Sequence, residues 1–97
     1  MITLGIDTTT EIGSVGLLED RMIIGELRYR ARMSQSEKLL GSIDKILSFL
    51  KVSRYDLDQV AVSTGPGSFT GLRIGLSTAK GLGHSLQVPL TGVPITD

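Results

Sequence analysis

Apolar and polar residues alternate along the first third of the chain in a pattern that predicts three strands. Residues 2–7 and 12–18 are short apolar runs separated by a polar turn, and residues 22–30 alternate with period two. One side of that third run consists of Ile23, Gly25, Leu27 and Tyr29. The other side is mostly polar, which is typical of a half-exposed strand. Short turns between the runs predict an antiparallel meander.

The next segment has the period of a helix. It opens with a capping box, Ser34-Gln35-Ser36-Glu37, in which the Ser34 side chain accepts a hydrogen bond from the backbone of Glu37. The apolar stripe that follows consists of Leu39, Ile43, Ile46, Leu47 and Leu50. This spacing predicts an amphipathic helix over 36–51.

The rest of the chain completes an α/β pattern. Apolar runs at 60–63 and 89–93 predict two more strands, and a second helix is predicted from Phe69 to Leu86. Because strand–helix–strand passages are right-handed and parallel, the order β-β-β-α-β-α-β predicts one mixed five-stranded sheet. This arrangement resembles one lobe of the actin-like ATPase (ASKHA) clan, which has a ribonuclease H-like fold. Residues 1–97 would form a single such lobe.

Composition narrows the functional classes. Ten basic and ten acidic residues give a net charge of zero, and the aromatic residues are two Phe and two Tyr. Both features argue against a domain that holds RNA by itself. The absence of cysteine excludes a disulfide, a thiolate nucleophile and a zinc–thiolate site. The first residues do not resemble a signal peptide and no apolar run is long enough for a membrane span, so we expect a cytoplasmic protein.

The turn after the first strand is the first candidate site. It consists of Asp7, Thr8, Thr9 and Thr10. In the clan, this turn holds nucleotide phosphates with backbone amides, and an amide-lined concavity binds anions. Close approach to a phosphate favours glycine, yet Thr9 stands two positions after Asp7. A weakened nucleotide loop and a polar turn that bonds its own backbone are both open interpretations.

The second helix carries small residues at every fourth position. They are Gly71, Gly75, Ala79 and Gly83. Glycine inside a helix costs about 1 kcal/mol relative to alanine, so this small-residue ridge needs a compensating contact. A small ridge lets another backbone approach, either the protein's own sheet or a partner helix. We favour the partner, since the leucines and isoleucine of this helix spread over more than one face.

A longer motif identifies a family. The run Thr64-Gly-Pro-Gly-Ser-Phe-Thr-Gly-Leu-Arg-Ile-Gly-Leu, with the opening Leu4-Gly-Ile-Asp-Thr-Thr-Thr, resembles the TsaB (YeaZ) family over essentially the whole chain. The resemblance implies a non-catalytic scaffold that pairs with TsaD. With TsaE, that pair transfers threonylcarbamoyl to adenosine 37 of tRNA. The resemblance also implies a second lobe in TsaB proteins, and we expect these 97 residues to contain the first lobe alone.

The resemblance places the TsaD contact on the two helices. The implied contact residues are Leu39, Ile43, Ile46, Gly71, Leu72, Arg73, Gly75, Leu76, Ala79, Lys80 and Gly83. It implies no catalytic residue and no cofactor in this chain. Any ATP or ADP would bind in the complex, the metal would belong to TsaD, and tRNA contact would be indirect. A homodimer is the alternative pairing.

An ATP-dependent kinase or ATPase lobe of the same clan is the alternative function. Asp7 would then hold a Mg²⁺-bound water. TsaD-like proteins have a His-x3-His motif on the first helix, whereas this chain has no histidine there. His84 is the one histidine of the sequence, and one imidazole does not make a multi-ligand metal site. We expect His84 to lie at the surface or at a helix end.

Overall fold

The predicted elements are all present in the computed structural model, which describes residues 1–30, 35–65 and 69–94. In chain order they are β1 (Ile2–Asp7), β2 (Ile12–Glu19), β3 (Met22–Arg30), α1 (Gln35–Leu50), β4 (Gln59–Gly65), α2 (Phe69–Leu86) and β5 (Leu90–Pro94). A 3-10 turn at Arg54–Asp56 precedes β4. The capping box predicted at Ser34 lies outside the described residues.

The strands form one mixed sheet with the order β3-β2-β1-β4-β5. Strands β1, β2 and β3 pair antiparallel, as a meander does. Strand β4 pairs parallel with β1, and β5 pairs parallel with β4. The predicted α/β topology is therefore confirmed.

The core lies between one face of this sheet and the two helices. The central strands contribute Leu4, Ile6, Val15, Leu17, Val60 and Val62, all nearly inaccessible to solvent. The helices contribute Leu39, Ile43, Ile46 and Leu47 from α1 and Ala79 from α2. On the opposite face, Gly5 is paired with Gly16 and Ala61, and these small residues line an open groove. Among the described residues, both α-helices pack on the first face.

Because of a β-bulge, the first residues of β3 do not follow the predicted alternation. Leu17 pairs with Gly25 but Leu18 pairs with Ile23, so Ile24 is an extra residue in β3. An extra residue reverses the side to which the strand's preceding residues point. Ile23 is accordingly 63% exposed, whereas Ile24 packs against the core. From Gly25 onward the alternation follows the prediction.

Candidate functional site

The loop after β1 directs its polar groups at the protein itself. One carboxylate oxygen of Asp7 accepts hydrogen bonds from the backbone N–H of Thr9 (3.0 Å) and from its hydroxyl (2.7 Å). The Thr10 hydroxyl pairs with the backbone of Ile12. These bonds are those of a polar turn that caps its own backbone. Nucleotide binding by this loop stays a prediction.

Thr8 connects this loop to α2. Its side chain is 1% exposed, and its hydroxyl donates to the carbonyl of Gly71 over 2.5 Å. A Cβ added at Gly75 would overlap the same hydroxyl. Thr8 therefore fills the space beside α2 that the missing side chain of Gly75 leaves.

The small-residue ridge of α2 faces the protein's own sheet and loop. Ala79 is fully buried, and a Cβ at Gly83 would lie 3.2 Å from the carbonyl oxygen of Val88. Together with Gly71 and Gly75, these residues are in contact within the chain. The prediction that a partner helix covers this ridge is wrong, because Thr8 and the segment before β5 already occupy it.

Three contact residues predicted on α1 are also internal. Leu39, Ile43 and Ile46 are 0%, 4% and 3% exposed, and all belong to the core. The spacing that predicted the helix is the spacing that packs it on the sheet. These three positions are therefore removed from the predicted contact surface.

What remains of that surface points away from the sheet. On α2, Arg73, Leu76 and Lys80 are exposed and Leu72 is half-buried. Leu40 of α1, which the sequence analysis missed, is 50% exposed. The sequence feature that could have identified Leu40 is that it is apolar but lies off the buried stripe of its helix. We call Leu40, Leu72, Arg73, Leu76 and Lys80 the outer helix surface.

A groove of about 300 Å³ runs between the two helices of this surface. It is lined by Ser36 of α1 and by Thr70, Arg73, Ile74, Ser77 and Thr78 of α2. Its walls are mainly hydroxyl groups, with one guanidinium and one aliphatic side chain. The groove shares Arg73 with the outer helix surface, whose other residues are leucines and Lys80.

The ring of Tyr29 explains why position 13, near the loop after β1, is a glycine. A Cβ added at Gly13 would overlap the Tyr29 ring, which lies across that position from the neighbouring strand. Burial, and secondarily the charge of Asp7, raises the pKa of the Tyr29 phenol to about 12. Gly13 therefore accommodates an aromatic ring.

His84 lies exposed in the last turn of α2, as expected. Within residues 1–30, 35–65 and 69–94, no three or more His, Cys, Asp or Glu side chains come together as a metal site. No helix in the described part of the chain is long and apolar enough to cross a membrane.

Comparison with known proteins assigns the family. The family model "TsaD: tRNA N6-adenosine threonylcarbamoyltransferase" matches residues 30–96. The tRNA threonylcarbamoyladenosine biosynthesis protein TsaB of Buchnera aphidicola is 37% identical over 92 residues, which cover 95% of this chain and 43% of that protein. The chain belongs to the TsaB family. It spans less than half the length of this TsaB relative.

Solved structures agree with this assignment. YeaZ from Pseudomonas aeruginosa superimposes with a TM-score of 0.88 at 31% identity, over 96% of this chain and 43% of that chain. RuvC from Thermus thermophilus superimposes with a TM-score of 0.61 at 16% identity, over 97% of this chain and 64% of that chain. The second likeness concerns the fold alone. This TsaB-family chain has the actin-like, ribonuclease H-like α/β fold.

Proposed function

We propose that this chain is a non-catalytic partner of TsaD in the synthesis of tRNA threonylcarbamoyladenosine. Membership of the TsaB family supports the proposal, because a relative named as a tRNA threonylcarbamoyladenosine biosynthesis protein aligns with 95% of this chain. The match of residues 30–96 to the TsaD model fits a subunit that shares its fold with the transferase. Chains of one fold often pair through equivalent elements, and symmetric contacts of this kind are common in assemblies.

The loop after β1 supports the non-catalytic part of the proposal. A phosphate-binding loop needs free backbone amides. Here the Thr9 amide is bonded to Asp7, and Thr8 is inserted against α2. In this proposal the metal and any ATP or ADP are held by TsaD or by the assembled complex. ATP turnover by the purified chain would instead support a kinase or ATPase.

The outer helix surface is the proposed TsaD contact. Leu76 and Leu40 are 37% and 50% exposed, and exposed leucines on adjacent helices are suited to packing against partner helices. Arg73 and Lys80 would lie at the polar rim of such a contact. TsaE would join through the TsaB–TsaD pair, and tRNA would be bound by the whole complex.

Isothermal titration of purified TsaD into this chain tests the proposal. We expect Leu76→Glu and Leu40→Glu each to weaken binding at least about tenfold, because each would bury an unpaired carboxylate in the contact. Tyr55→Glu is the matched control, since Tyr55 is 82% exposed on the 3-10 turn. Circular dichroism should show all three variants folded. TsaD binding that neither leucine substitution changes would contradict the proposed surface, and no TsaD binding by the folded wild type would contradict the proposed function.

A further inference from the structure

Among residues 1–30, 35–65 and 69–94, no strand pairs with the outer edge of β3. Strand β3 is the first strand in the sheet order and is hydrogen-bonded to β2 on its other side. From Gly25 to Arg30 its pairing with β2 is continuous, past the bulge. An edge strand presents a row of backbone N–H and C=O groups that can accept another strand.

A groove follows this edge beneath α1. One part, of about 540 Å³, is lined by Gly25, Leu27, Phe49 and Leu50, among others. A second part, of about 690 Å³, shares Leu27 and Lys45 with the first and extends to Lys38 and Arg30. The groove therefore runs in the direction of the strand, with an apolar end and a basic end.

One stripe of α1 forms the wall of this groove. Lys38, Ser42, Lys45 and Phe49 follow each other at i, i+4, i+7 and i+11, which places them on one face of the helix. Phe49 is 85% exposed. Lys38 reaches the strand itself, because its ammonium donates to the carbonyl of Arg30 over 2.7 Å.

The charge around the groove favours an acidic peptide over a second copy of the chain as its occupant. Beneath α1 the charged side chains at the groove are Lys38, Lys45 and Glu37; the side chains of Glu26, Arg28 and Arg30 alternate with those of Leu27 and Tyr29 and project from the other face of β3. Glu26 is already paired with Arg28 at 3.1 Å. Two copies joined edge to edge would bring Lys38 and Lys45 of both copies to one seam, and charged side chains at an edge oppose self-pairing. An acidic partner strand would meet the opposite charge.

We propose that the β3 edge binds an extended peptide segment of a partner protein as an added strand. Backbone hydrogen bonds to Gly25–Arg30 supply the pairing, and alternate side chains of the peptide enter the groove. Apolar side chains lie at the Phe49 end, and carboxylates lie between Lys45 and Lys38. This surface is separate from the outer helix surface proposed to contact TsaD.

Fluorescence anisotropy with labelled eight-residue peptides tests the proposal. The acidic probe alternates valine and threonine in its first half and valine and glutamate in its second half; the basic probe has lysine for glutamate. We expect the acidic probe to bind at least about tenfold more tightly than the basic probe, with a preference that weakens as salt screens the charges. Equal binding of both probes, or binding of neither, would overturn the proposal.

Charge reversal and a matched aromatic pair locate the site. Lys45→Glu should reverse the preference, so that the basic probe binds more tightly than the acidic one. Phe49→Ala should weaken the acidic probe severalfold, whereas Tyr55→Ala should leave it unchanged, since both rings are similarly exposed at 85% and 82%. If neither Lys45→Glu nor Phe49→Ala changes the affinity of the acidic probe, the peptide binds elsewhere.

Two further measurements test the strand geometry and the class of ligand. Peptide binding should slow amide hydrogen exchange within Gly25–Arg30, and proline at alternate peptide positions should abolish binding because it removes the pairing N–H groups. Protection at Gly5 and Ala61 instead would assign the peptide to the open sheet face and refute the proposal. An eight-nucleotide single-stranded RNA that displaces the acidic probe, and loses its own binding in Lys45→Glu, would show a phosphate site and also refute it.

Discussion

Thr8 explains why position 75 is a glycine. The glycines at 71 and 75 predict a close approach, but their spacing does not say which group approaches. The answer is a hydroxyl that donates to Gly71, 63 positions away in the sequence. Such a pairing depends on the register of β1 against the sheet and on the position of α2. The periodicity of the sequence gives neither the register of β1 nor the position of α2. The small-residue ridge could therefore be predicted from the sequence, but the group that contacts it could not.

Gly75→Ala should lower the free energy of unfolding by about 1–2 kcal/mol. Overpacking a core contact costs about 1–3 kcal/mol, and the gain in helix propensity returns up to about 1 kcal/mol. In a Thr8→Ala background the same substitution should range from neutral to stabilising by up to about 1 kcal/mol, since the overlapping hydroxyl is gone and the gain in helix propensity remains. Urea denaturation of the four proteins of this double-mutant cycle gives the coupling energy.

Gly81→Ala is the control for that cycle. A Cβ at Gly81 meets nothing within 4 Å, so this substitution should stabilise the protein by up to about 1 kcal/mol through helix propensity. Additive effects of Gly75→Ala and Thr8→Ala would show that the two residues do not touch.

The phenol of Tyr29 should make stability fall at high pH. Its folded-state pKa of about 12 lies above the usual tyrosine pKa of 10.0, so the folded state holds the proton more tightly than the unfolded chain does. The stabilisation is fully present below pH 10 and is lost as pH rises toward 12. Tyr29→Phe should therefore lose less stability across this interval, as measured by urea midpoints. Parallel pH profiles for the two proteins would contradict this expectation.

At the scale of elements, both helices end in the same way on residues that are not glycine. Lys51 and Gln87 each have a φ of 57°. After α2, the amide of Val88 bonds to the carbonyl of Gly83 at 3.0 Å and that of Gln87 to His84 at 3.3 Å. This is a Schellman ending, in which the left-handed position favours glycine. The apolar periodicity predicted the last residue of each helix to within one position. It did not predict the left-handed residues, because neither Lys nor Gln is a residue type that marks such a position.

Gln87→Gly should raise the free energy of unfolding by about 0.5–1 kcal/mol. The left-handed conformation costs a residue with a Cβ about 1–2 kcal/mol, and part of this gain is offset by the greater backbone entropy of glycine in the unfolded chain. Ser85→Gly, two residues earlier and inside α2, should instead destabilise by roughly 0.5 kcal/mol. Thermal or urea unfolding of both variants compares them directly, and a loss of stability in Gln87→Gly would count against the helix ending described above.

For the whole molecule, the order of elements was sufficient to predict the sheet. Right-handed crossovers leave few ways to place β4 and β5 beside β1, and the structure has the expected arrangement. The candidate site was less predictable. The sequence predicted Leu39, which is in the core, as a contact residue and did not predict Leu40, which is at the surface. The position of Leu40 off the apolar stripe indicates exposure, but it does not say which exposed residues a partner would contact.

The extra residue at Ile24 also bears on how chains of this family differ in length. Residues before the bulge and residues after it keep separate pairings with β2. One residue can therefore be gained or lost at this point while the pairing of Gly25–Arg30 is preserved. A homologue without the bulge should align with a one-residue gap at position 24. In such a homologue the residue aligned with Ile23 should still pair with the residue aligned with Leu18 and point to the same side of the sheet, whereas the contact that Ile24 makes with the core should be missing.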